Sequence, residues 1–112
     1  MITIGIDPGI ERIGLGVVES SNGKMKLLNH ELIKTPASLT TPQRLAMLYE
    51  KLMQFLKENK ADNAAVEELF FARNTTTAIT VAQARGVILL ALQNIGLPIF
   101  EYTPLQVKQS LL

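Results

Sequence analysis

An apolar, β-branched run, Ile2-Thr3-Ile4-Gly5-Ile6, ends on a carboxylate, Asp7, and Pro8-Gly9 then breaks it. The pattern predicts a buried strand over residues 2–7 that delivers an acid to its end. Residues 12–19 predict a second strand, with Gly14 and Gly16 inside it. Asn22-Gly23, within Ser20 to Lys24, is the residue pair of a tight hairpin turn, and Met25 to Lys34 returns as a third strand. These segments predict an antiparallel meander.

The period then changes. Thr40 and Thr41 before Pro42 signal a helix start, and Leu45, Leu48, Leu52, Phe55 and Leu56 recur at three- and four-residue steps to about Lys60. Ala64 to Glu67 predicts a short buried strand. A long helix over 75–94 follows, capped by Asn74 or Thr75, then a strand over 98–102 and a last helix from 104 to 112 opened by Thr103-Pro104. The order β-β-β-α-β-α-β-α predicts an α/β mixed sheet, a meander extended by parallel strands and flanked by helices.

Length adds a bound. A chain of 112 residues predicts a single domain over 1–112. Such a domain buries roughly 60–70% of its unfolded surface, enough for one core. There is no cysteine, which excludes a disulfide framework and thiolate metal sites and is compatible with a reducing cytoplasm. The N-terminus has no signal-peptide pattern, and the longest apolar run, Gly86 to Leu92, is too short to span a membrane, so no membrane partner is expected. The net charge of +1 gives no overall basic excess for nucleic acid, so any footprint rests on local clustering of Arg12, Arg73, Arg85 and Lys108.

The candidate chemistry is carboxylate chemistry. If the first and fourth strands are parallel neighbours, Asp7 ends beside Glu67 or Glu68. Alternation of side chains lets only one of the two glutamates join it. Paired hard oxygen ligands suit Mg²⁺ or Mn²⁺, and two such ions about 3.5–4 Å apart can drive phosphodiester cleavage. The alternative is that Asp7 caps its turn and the glutamates are solvated strand-end charges. Gly14 and Gly16 either admit a close approach of phosphate or backbone or mark a bulge, and the bulge is the expectation. Phe70 and Phe71, beside Arg73, either enter the core or meet DNA bases; one of each is expected. Arg73, Arg85 and Lys108 are candidate phosphate contacts, against the alternative of plain surface charges. Ala82 and Gly86, four apart, permit another backbone to approach, either the sheet beneath, which is the expectation, or a second subunit. His30 is expected to be structural.

Five motifs occur in order: Gly5-Ile6-Asp7-Pro8-Gly9; Ala65-Val66-Glu67 with Phe70-Phe71 and Asn74; Gln83-Ala84-Arg85-Gly86; Glu101-Tyr102-Thr103-Pro104; and Gln106-Val107-Lys108-Gln109. Together they resemble the RuvC family of Holliday-junction resolvases, across essentially the whole chain. The resemblance implies a ribonuclease-H-like fold and a cytoplasmic, homodimeric, Mg²⁺-dependent endonuclease acting on four-way DNA junctions in recombination and repair. It implies metal-binding catalytic roles for Asp7 and Glu67, DNA contact by Phe70 and Lys108, a dimer interface on the helix 75–94, and branch-migration proteins as partners. Ile13 stands where the family usually has a threonine. The family's glycine-rich basic loop and last helix, which supply its remaining catalytic acids, have no counterpart here. The C-terminal part of the fold is therefore expected to be missing and the chain to be inactive, or nearly so, alone. Other expectations are a non-catalytic junction-binding or dimerisation module of the same fold, a YqgF-type nuclease suggested by Arg12-Ile13-Gly14, and an actin-like nucleotide-binding domain. The Gln83–Gly86 and Gln106–Gln109 motifs argue against the YqgF type.

Overall fold

The fold was taken from a computed structural model, which describes residues 1–68 and 75–102, with backbone alone at 75–77. Five strands form one sheet in the order β3-β2-β1-β4-β5: β1 (Ile2–Asp7), β2 (Arg12–Ser21), β3 (Lys24–Lys34), β4 (Asn63–Glu67) and β5 (Ile99–Tyr102). β1, β2 and β3 form the antiparallel meander, and β4 and β5 add in parallel to the other side of β1. Helix α1 (Thr41–Glu58) links β3 to β4, and α2 (Thr75–Ile95) links β4 to β5. The last helix expected from residue 104 lies outside the described residues, as does Asn74.

Local chemistry sets the boundaries. Asn22 (φ 53°) and Gly23 (φ 75°) both take positive φ, as a two-residue hairpin turn with the right twist requires. Thr40 caps α1 in a reciprocal capping box with Gln43, and Pro42 occupies the first turn. The helix stops two residues short of Lys60 because Asn59 leaves helical geometry, and its backbone and side-chain N–H groups both donate to the Phe55 carbonyl. At the end of α2, Gly96 (φ 85°) and Leu97 donate to the carbonyls of Gln93 and Leu92, which closes the helix and turns the chain into β5.

Both helices pack on one face of the sheet. Ile4, Ile6, Ile13, Leu15, Val17, Ile33, Ala64 and Val66 project from the strands into one cluster with Leu48, Leu52, Phe55 and Leu56 of α1 and Ala84, Ile88, Ala91 and Leu92 of α2. Ile13 is fully buried there, so the residue that departs from the family pattern fills the core and does not face Asp7. By length and composition Ala78–Ile95 could cross a membrane; here one side of it closes the core. Its other side carries Ile79 and Leu90, each more than half exposed, with Ala82 and Gly86 exposed between them. The expectation that Ala82 and Gly86 lie over the sheet is therefore corrected: Ala84 and Ile88 do so.

Among the described residues no helix covers the opposite face, where Leu27 and Leu32 are exposed and a methyl added at Gly5 would meet nothing within 4 Å. The expected bulge at Gly14 and Gly16 is also corrected. Both pair regularly, with Leu32 and His30, and the register shifts instead between Val17 and Val18. His30 lies exposed on β3, and among the described residues it joins no cluster of ligating groups.

Candidate active site

Asp7 and Glu67 reach the same place because β1 and β4 run parallel with Ile6 opposite Val66. One residue further on, both chains turn their carboxylates to the face that α1 and α2 leave open. Asp62 fixes the start of this register: its backbone N–H donates to the Ile2 carbonyl at 2.8 Å and its carboxylate accepts from the Ile2 N–H at 2.7 Å. Glu68 is exposed and does not join the pair; its N–H donates to the Tyr102 carbonyl at 2.6 Å.

The turn after Asp7 is held from below. Thr35 is buried; its hydroxyl donates to the Ile10 carbonyl and its N–H to the Glu11 carbonyl. Arg44 of α1 donates through Nε to the Thr35 hydroxyl at 3.0 Å and through Nη2 to the Thr35 carbonyl at 3.1 Å. Gly9 is required in this turn, since a Cβ there would collide with the Arg12 carbonyl. Gly14 pairs with Asp7 across the β1–β2 ladder, and a Cβ on it would sit 3.6 Å from the Asp7 Cβ, so the absent side chain leaves the flank of Asp7 open.

The two carboxyls are hydrogen-bonded to each other, and Glu67 is pushed from 4.5 up to about 7. Partial burial is the largest cause, followed by the hydrogen bond to Asp7 and the charge of Asp7. Tyr102 pairs with Glu67 across β4 and β5 and shares its face. Its phenol is raised above its ordinary value by burial, then by the charges of Glu67 and Asp7. Sequence reasoning left Tyr102 inside a motif without a role; its signal was its place at the end of a parallel strand beside an acid.

Two hard oxygen donors close enough to share a proton fit a divalent cation, which can take that proton's place. They are only part of a coordination sphere: among the described residues no group of three or more His, Cys, Asp or Glu forms that could hold a metal ion. Phe70, Arg73 and Lys108 lie outside the described residues. Arg85 is described, and its guanidinium is engaged with the Glu67 carbonyl at 3.3 Å and with the Glu101 carboxylate at 2.5 Å.

A mixed sheet in this strand order, three antiparallel strands extended by two parallel ones, is the ribonuclease-H-like arrangement, here with one acid ending the central strand and a second ending its parallel neighbour. The chain belongs to the RuvC family: the profile of crossover junction endodeoxyribonuclease RuvC matches residues 3–112. It is similar to the crossover junction endodeoxyribonuclease RuvC of Desulfitobacterium hafniense, 50% identical over 110 residues that cover 98% of this chain and 67% of that protein. The RuvC of a Roseiflexus species is 50% identical over 109 residues, 97% of this chain and 65% of that protein. Among solved structures, Thermus thermophilus RuvC in complex with Holliday junction substrate superposes with a TM-score of 0.89 at 36% identity, over 97% of this chain and 70% of that one. The chain thus spans about two thirds of the length of these curated relatives.

The raised Glu67 has a consequence for stability. Between about pH 4.5 and 7 the folded chain holds a proton that the unfolded chain releases, so stability falls as pH rises through that window. Glu67→Gln removes this titration. Thermal melts from pH 5 to 8 are expected to show the variant gaining on the parent as pH rises. A constant difference in Tm would contradict the pairing.

Proposed function

We propose that residues 1–112 act as a single nuclease domain that binds four-way DNA junctions and supplies the first two metal ligands, Asp7 and Glu67, for hydrolysis of their phosphodiesters. The observation that carries this reading is the contact between the two carboxyls on the open face, at the ends of adjacent parallel strands. Junction DNA as the substrate is supported by the solved relative bound to it.

Mg²⁺, with Mn²⁺ able to replace it, would sit on Asp7 and Glu67. When bound, such an ion polarises a phosphoryl oxygen and lowers the pKa of bound water. The chain's own part is to place both carboxyl groups on one face; holding a cation would need Glu67 ionised, so affinity would rise with pH through about 7. Gly14 leaves the flank of Asp7 clear for a phosphate. Phe70, Arg73 and Lys108 are proposed as DNA contacts on the strength of the family resemblance. Two carboxylates fill a small part of the six oxygen positions that Mg²⁺ prefers. The chain is accordingly proposed to bind junctions and to cut them hardly at all by itself.

A second copy of the chain is the proposed partner for the outer side of α2. Ile79, Ala82, Gly86 and Leu90 line that side at three- and four-residue steps, small residues between exposed apolar ones. At the sheet edge, Phe100 of β5, 59% exposed, lines a shallow hollow with Leu89, Leu90, Gln93, Ile99 and Glu101. Close helix approach across small residues fits this pattern. Branch-migration proteins as further partners, and the cytoplasm as the place of action, follow from the same family reading.

With Mg²⁺ and a synthetic four-way junction, the chain is expected to bind at least about tenfold tighter than to linear duplex of the same sequence, with little cutting. Equal affinity would remove the junction as its substrate. Mg²⁺-dependent cutting that Asp7→Asn abolishes would overturn the view that two acids are insufficient. Sedimentation equilibrium is expected to show a dimer that Leu90→Glu converts to monomer with its Tm nearly unchanged; a monomeric parent chain would remove α2 as the interface.

A further inference from the structure

Arg85 stands on α2 between two residues of the buried face, Ala84 and Ile88, both fully buried. Its own side chain is 17% exposed, low for an arginine that reads a phosphate from solvent. The guanidinium spans two elements. Nε donates to the backbone carbonyl of Glu67, the last residue of β4, and Nη2 to the carboxylate of Glu101 on β5.

The strand register explains what this does. Glu101 lies opposite Val66, and Val66 points into the core, so Glu101 is on the helix side of the sheet. Glu67 and Tyr102 lie one residue further along and turn to the other side, where Asp7 is. Arg85 therefore grips the sheet from behind, at the level where the acid pair projects from the front. Past Glu67, the Glu68 N–H donates to the Tyr102 carbonyl and continues the β4–β5 ladder to the end of the described strand. Arg85 is the second tie on this end of β4, and it is a charge-assisted one.

We propose that Arg85 is a positioning residue of the site, a clasp that ties the end of β4 to β5 and α2 so that Glu67 is held beside Asp7, and not a DNA phosphate contact. The proposal rests on the reading of Glu67 as a metal ligand. Arginine suits the task because its planar fork donates in two directions at once; lysine offers a single point charge. To reach a phosphate, the guanidinium would have to leave Glu101 with its carboxylate unpaired.

Amide hydrogen exchange, followed residue by residue by NMR on the 112-residue chain, tests the clasp without metal or DNA. The Glu68 amide reports the clasped end of β4, and the Ala64 amide, bonded to the Pro98 carbonyl at 2.9 Å, reports the other end. In Arg85→Gln the Glu68 amide is expected to exchange about tenfold faster or more, with Ala64 within about twofold of the parent. Arg85→Lys should restore part of the difference. Glu101→Gln, at a half-exposed position, should move Glu68 in the same direction. Equal acceleration at both ends, or none at either, overturns the clasp, as does weakened junction binding in Arg85→Gln with Glu68 exchange unchanged. Mn²⁺ titration of Glu67→Gln separates the two readings. Lost Mn²⁺ affinity with the exchange result as expected supports both; unchanged affinity with that exchange result supports the clasp and overturns Glu67 as a ligand.

Discussion

The register between β1 and β4 is the constraint on which this structure depends. Side chains on a strand alternate, so a slip of one residue would turn Glu67 into the core and Val66 onto the open face. The core decides against that slip. Ile4, Ile6 and Val66 are fully buried, and each contributes about 1.5–3 kcal/mol by leaving water. The acids oppose their own placement, since Glu67 is driven to about 7 partly by Asp7. Apolar burial thus fixes a register that brings two mutually repelling carboxylates together. Packing elsewhere sustains that local electrostatic cost.

Around that register the remaining parts act as supports. Asp62 pins the start of β4 to β1, Arg44 and Thr35 pin the turn after Asp7, and Arg85 ties the end of β4 to β5. The two arginines come from different helices and approach from the helix side of the sheet. The open face is thereby left to the acids, Tyr102 and the glycine flank of Asp7.

Much of this was legible in the chain, for physical reasons that differ by element. β1 was readable because an apolar run stops at Asp7-Pro8-Gly9, and the β2–β3 turn because Asn-Gly is suited to positive φ at both positions. The start of α1 was readable from Thr40 and Pro42. The choice of Glu67 over Glu68 needed the register, which no local pattern encodes. Gly14 and Gly16 misled because glycine inside a strand serves both a bulge and a cleared surface, and the bulge formed at Val17/Val18, where no glycine stands. The internal partner of Arg85 was not legible, because its acid, Glu101, is sixteen residues away on another element. Ala82 and Gly86 were read for the sheet because spacing gives a helix face without saying which way it points.

Coupling between Asp7 and Glu67 is open to measurement by ¹³C NMR titration of the side-chain carboxyl of Glu67, with and without Mg²⁺. The expected midpoint is near 7 in the free chain, moved downward in Asp7→Asn and moved downward again in the parent by Mg²⁺. A Glu67 that titrates at its ordinary 4.5, unmoved by either change, would contradict it.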